Sequence, residues 1–149
     1  MLYTAVFMFV AIASFVVVSD LQGAEVPLQQ NTVAKETGES FVSVLTLAVK
    51  AGEGFSYNYT FPKTLFTKYY TIDMRKINDA NSSIMINWEG DYGAFSYQYG
   101  VPAYEYRFEG SCLTTSSLEK PAYVLDSSYC SNTLMLENDG ENLTITQLP

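Results

Sequence analysis

Any chemistry in this chain has to be done without histidine, which is absent from all 149 residues. No Ser-His-Asp or Cys-His arrangement and no histidine-bearing zinc site can be built, so the reactive inventory reduces to carboxylates and thiols. The candidate carboxylate pairs are Glu89 with Asp91, in WEGDYG, and Glu105 with Glu109. Acid–base work on a glycosidic bond needs two carboxyls held across the substrate, and acidic residues two or four apart in a strand or turn are more often a solvated face. The Glu89-Gly90-Asp91 turn offers oxygen ligands but lacks a calcium-loop motif of the required length. The expectation is a protein that is not an enzyme and that carries no cofactor and no metal.

Cys112 and Cys130 are the only thiols. No histidine stands ready to activate either as a nucleophile, and in an exported chain an even pair reads as a disulfide. The short ring it closes would stabilise the fold by about 3 kcal/mol. Export is indicated by the N-terminus, where Met1–Val18 is almost wholly apolar and the polar, small-residue stretch SDLQGAEV follows. That is a secretory signal pattern, in which Ser19 and Ala24 both offer a small residue for cleavage and a cut after Ala24 gives a signal of residues 1–24. The apolar run is a little short of the ~20 residues a membrane-spanning helix needs. No Lys or Arg precedes it, which leaves an uncleaved anchor as the alternative. No second apolar run of that length follows, so no stable membrane insertion is expected once residues 1–24 are gone, and 125 residues (149 − 24) remain.

The formal net charge is −8, from Lys+Arg 8 against Asp+Glu 16. Such a balance repels polyanions and excludes nucleic acid and anionic membrane surfaces as partners, leaving glycans and extracellular proteins open. The residues best suited to such partners are aromatic. In GDYGAFSYQYGVPAYEYRFEG, Gly90 to Gly110, rings recur at every second position on both sides of a Gly-Val-Pro break. If Phe95–Tyr99 and Tyr104–Phe108 form an antiparallel hairpin closed by residues 100–103, all six rings share one face, with Tyr99 opposite Tyr104 and Tyr97 opposite Tyr106. An amphipathic hairpin normally turns that face inward as core. Yet four of the six are tyrosines, whose hydroxyls need partners, so Tyr97, Tyr99, Tyr104 and Tyr106 are the candidate ligand-binding residues.

The elements that must position these rings read as strands. Two-residue alternation recurs over Phe55–Phe61, Leu65–Met74, Ile84–Trp88, Ala94–Tyr99, Ala103–Glu109 and Ala122–Leu125. NTLMLENDGENLTITQL reads as a C-terminal hairpin around Asp139-Gly140, with Leu134 and Leu136 facing Leu143 and Ile145. Phe41–Val49, apolar on both faces, is the candidate central strand. Residues 25–40 contain Pro27 and Gly38, show no clean period and read as a flexible N-terminal arm, so that the domain proper spans 41–149. No helical stripe stands out after the signal.

These features give an all-β fold class, an antiparallel β-sandwich of jelly-roll, Ig-like or CUB-like general architecture with one disulfide, or alternatively a small β-barrel. Size and a late disulfide resemble the CUB-type domains. The first cysteine pair usual in that family is missing, and no residue role is carried over from it. Three sequons, at Asn58, Asn81 and Asn142, fall where the alternation or a turn points to solvent and make the chain a candidate glycoprotein. The function expected is a secreted binding module that contacts a glycan or protein surface through the tyrosine-rich hairpin. The alternatives are a barrel that carries a small apolar ligand and a self-associating structural extracellular protein. A carrier requires rings lining an internal cavity, and a surface module shows them outside.

Overall fold

A computed structural model describes residues 2–78, 81–90, 93–110, 114–115, 122–128 and 131–148 of the chain. A 50-residue helix, α1 (Leu2–Ala51), precedes the strands β1 (Ser56–Thr60), β2 (Tyr70–Asn78), β3 (Asn81–Gly90), β4 (Gly93–Val101), β5 (Glu105–Glu109), β6 (Thr114–Thr115), β7 (Ala122–Asp126), β8 (Thr133–Asn138) and β9 (Asn142–Gln147). They form a four-stranded sheet in the order β1-β8-β9-β5 and a five-stranded sheet in the order β4-β3-β2-β7-β6. The pairings are antiparallel except β5 with β9, which is parallel. The two sheets pack in a sandwich-like manner, and α1 lies against β3 and β4 of one and β1 and β8 of the other.

The alternation that marks the strands also builds the core. Ile84, Ile86 and Trp88 of β3 are buried together with Tyr70, Ile72 and Met74 of β2, while the intervening Met85 and Asn87 are only partly covered. The C-terminal hairpin follows the expected register: Leu136 pairs with Ile145, and Leu134, Leu136, Leu143 and Ile145 are fully buried.

The N-terminal third departs from the sequence reading. Residues 25–40 are not a flexible arm and Phe41–Val49 is not a central strand, because both lie within α1. The buried side chains of this stretch are those of Gln30, Ala34, Thr37, Phe41, Leu45 and Ala48, separated by three or four residues as one face of a helix requires, with Gly38 buried beside Thr37. Pro27 and Gly38 hid the helix. Proline inside a helix removes one backbone bond, and glycine costs about 1 kcal/mol relative to alanine there. Gly38 is nevertheless fitted to its place, since a Cβ on it would stand 2.2 Å from the ring of Tyr99. The helix stops at Gly52, whose φ of 71° suits a residue without a side chain and whose N–H returns to the Ala48 carbonyl at 3.3 Å.

The expected hairpin of β4 with β5 is also overturned. β4 pairs with β3, Trp88 opposite Phe95 and Ile86 opposite Tyr97, and β5 pairs in parallel with β9 in the other sheet. The chain changes sheets between Val101 and Glu105, where Pro102 offers no N–H to a continuing ladder. The strand expected from Leu65 begins only at Tyr70, since Leu65 and Lys68 close a tight turn (2.8 Å) with Phe66 at φ 61° on its tip. Left-handed backbone at an aromatic residue is unusual. Asn58 is exposed, as the alternation required, whereas Asn142 is buried at 9% exposure with its amide 3.3 Å from Asp139. Asn81 opens β3 and not a loop. Cys112, Cys130 and Asp91 lie outside the described residues, and with them the disulfide and one of the carboxylate pairs.

Helix and sheets are joined through one side chain. Asn138, 4% exposed, donates from Nδ2 to the Ala48 carbonyl (2.9 Å), and its Oδ1 accepts from the Tyr104 hydroxyl (3.0 Å) and the Gly140 N–H (2.8 Å). Its backbone bonds Phe55 and Gly54 (both 2.9 Å). Replacing Asn138 with alanine leaves buried partners unpaired and should cost about 2–4 kcal/mol. A thermal melt followed by circular dichroism should then fall by on the order of 5–15 °C, and a loss below about 1 kcal/mol would remove this side chain from its central role.

Candidate functional site

The six rings do turn inward, but onto two different walls. On β4, the Tyr99 hydroxyl donates to the Lys35 carbonyl of α1 at 3.3 Å, its ring seated over Gly38. Tyr97 lies between Tyr99 (6.4 Å between ring centres) and Trp88 (5.8 Å), and Phe95 stacks on Trp88 at 5.5 Å. These rings form the seat of the helix. Burial raises the Tyr99 hydroxyl above its ordinary pKa, with Glu39 and Tyr97 adding to the effect.

On β5, the rings line a void between the sheets. A partly open cavity of 180 Å³ is walled by Tyr104, Tyr106 and Phe108, with Tyr123 of β7, Ile84 of β3 and Leu45 of α1. Phe108 stacks on Tyr123 at 4.2 Å. The hydroxyls of Tyr104, which precedes β5, and of Tyr106 on it already have protein acceptors: Tyr104 donates to Asn138 Oδ1 at 3.0 Å and Tyr106 to the Pro102 carbonyl at 2.7 Å. Rings held in this way present their apolar faces. One corner of the wall is polar, where Arg75 stands with Ser82 and Ser83. The Arg75 guanidinium is paired with Asp73 at 3.0 Å, and its Nε is buried with no acceptor among the described residues.

Of the four tyrosines singled out by sequence, the structure therefore brings together Tyr104 and Tyr106 and separates them from Tyr97 and Tyr99. Leu45, Ile84, Arg75 and Tyr123 join the site without a local signal. Leu45 belongs to the unrecognised helix, and Tyr123 reaches the cavity through pairings of strands distant in sequence. Glu105 and Glu109 point outward from β5 and are exposed, away from the cavity wall. No family model matches the chain, and neither does any curated protein or solved structure.

Burial raises the Tyr106 hydroxyl from 10.0 to about 12. A raised folded value means that the neutral phenol supports the fold fully below pH 10 and that this support is lost as pH climbs from 10 through 12. Urea unfolding across that window should show a falling stability in which Tyr106→Phe falls less steeply than the unaltered protein. Equal slopes would mean that Tyr106 ionises freely and does not feel the cavity.

Proposed function

We propose that this chain is an exported, non-enzymatic binding module that takes a small apolar ligand, of about one aromatic ring, between its two sheets. The observation that carries the reading is the cavity of 180 Å³ walled by Tyr104, Tyr106 and Phe108. An apolar cavity of about 150 Å³ is large enough to take up benzene. Left dry and empty, a void of this size costs up to about 4 kcal/mol, a heavy charge on a domain whose total stability is about 5–15 kcal/mol. A ligand that restores the missing contacts offsets that cost. The alternative of a glycan or protein held by all four tyrosines has less support, because their hydroxyls and faces are divided between the helix seat and the cavity.

Export rests on the apolar start of the chain. The first buried side chain of α1 among those described is Gln30, so a cut after Ala24 keeps all of the described core residues of α1. In the compartment beyond the membrane Cys112 and Cys130 pair, and Asn58 is the favoured glycan acceptor. Expressed in a eukaryotic cell, the secreted protein should begin between Asp20 and Glu25 and lose mass on enzymatic removal of N-glycans. Asn58→Gln should abolish most of that loss and Asn142→Gln little of it. A full-length membrane-bound product would replace secretion with anchoring by α1.

Ligand binding is tested with indole and toluene as probes. Saturating probe, at about 100 times its Kd, adds about 2.7 kcal/mol to stability and should raise the melting temperature by several degrees. Val101→Phe, which fills the cavity wall, should melt no lower than the unaltered protein and show no probe-dependent shift. An absent shift in the unaltered chain, or one that survives Val101→Phe, would overturn the reading.

A further inference from the structure

A second concavity opens at the end of the five-stranded sheet, where β2 begins, β3 ends and β4 starts. It is a groove of 670 Å³, within the range of about 300–1,000 Å³ usual for small-molecule sites. Its floor and rim are mixed in character. Tyr69, Trp88 and Phe95 supply rings, and Asn87, Glu89 and Asp126 supply amide and carboxylate groups. Two of its rings differ sharply in exposure. Tyr69 leaves its ring 57% exposed. Trp88 is only 5% exposed, yet its indole N–H finds no acceptor among the described residues, and a buried donor left unpaired costs about 1–3 kcal/mol.

We propose that this groove is a carbohydrate-binding site for neutral oligosaccharides. The chemistry that suits it combines a flat apolar face for the Tyr69 ring, a hydroxyl oxygen for the Asn87 amide, and hydroxyl donors for the Glu89 and Asp126 carboxylates. A sugar ring has all three, with C–H groups on one face and hydroxyls that donate and accept at its rim. Glu89 and Asp126 lie within the groove of a chain whose net charge is −8, so an anionic ligand is repelled. Asp126 is partly engaged, its Oδ1 accepting from the Ser128 N–H (2.8 Å) and hydroxyl (2.6 Å), which fixes the carboxylate in place. This site is separate from the inter-sheet cavity and does not depend on it.

Trp88 is the only tryptophan in the chain and stacks on Phe95 of the groove at 5.5 Å, so its emission responds to a ligand there with no second indole to mask the change. The full chain, kept in a zwitterionic detergent without sugar headgroups, is titrated with tetrasaccharides of the cello, chito and manno series. At least one series should change Trp88 emission saturably at up to millimolar concentration. Tyr69→Ala should weaken that binding roughly tenfold or more, and so should Asn87→Asp. Tyr57→Ala, which removes a ring of similar exposure, 48%, outside the groove, should leave it unchanged. Thermal melts confirm that each variant is folded, and because Tyr69 is largely in solvent its loss is not expected to disturb the core. No emission change with any series overturns the proposal. So does unchanged affinity in Tyr69→Ala, or equal binding of a sulfated oligosaccharide; a groove occupied only by a protein surface would give the first of these results.

Discussion

The fold is tied together by the need to satisfy the polar groups that appear where a helix end meets two sheets. Asn138 meets it with one amide. Its two side-chain atoms bond the last turn of α1, the start of β5 and the turn after β8, three pieces of chain that no single strand ladder connects. Buried polar groups are paired in folded proteins because an orphan costs more than a pair gains. With Asn138 in place, Ala48 is held against β8 and Tyr104 is fixed at the mouth of β5. The walls of the inter-sheet cavity are consequently set by a hydrogen bond as much as by apolar contact.

Around that joint, α1 acts as a third layer. Phe41 stacks on Tyr59 of β1 at 5.1 Å, the Tyr59 hydroxyl reaches the Thr37 carbonyl at 3.4 Å, and Tyr99 reaches Lys35 from the opposite sheet. Each sheet thus grips the helix by an aromatic ring and by that ring's hydroxyl. Tyrosine suits this role better than phenylalanine, since a helix flank presents carbonyls at its surface and a phenol can cover apolar area while donating to one of them. The Tyr99 hydroxyl of β4 is accounted for by the neighbouring helix.

What was legible in the sequence is what is local. The β8–β9 hairpin was readable because Asp139-Gly140 marks its turn and Leu134, Leu136, Leu143 and Ile145 alternate around it; the Asp139 carboxylate is held below its usual pKa by the N–H groups of Asn142 and Glu141, which the turn aims at it. The inward face of β4 and β5 was readable for the same reason. The helix was not, because four of the six buried side chains of its stripe are Gln30, Ala34, Thr37 and Ala48, which give a weak apolar signal, and because Phe41–Val49 is apolar enough to satisfy either period. The parallel pairing of β5 with β9 was beyond reach, since nothing in GVPAYEYRFEG states which distant strand it joins. Half of the candidate site went with it: Tyr104 and Tyr106 were identified, but their companions across the cavity come from pairings that only the assembled sheets define.

The space between the sheets also makes volume a thermodynamic coordinate of this molecule. If the partly open cavity of 180 Å³ is dry, its volume is lost when the chain unfolds and water closes around it. Applied pressure therefore pushes toward the unfolded chain more strongly than for a domain packed to ordinary density. An occupant removes that disadvantage by taking the void out of the folded state. Compressibility, a property of the whole domain, is thereby under the control of whatever sits against Tyr104 and Tyr106.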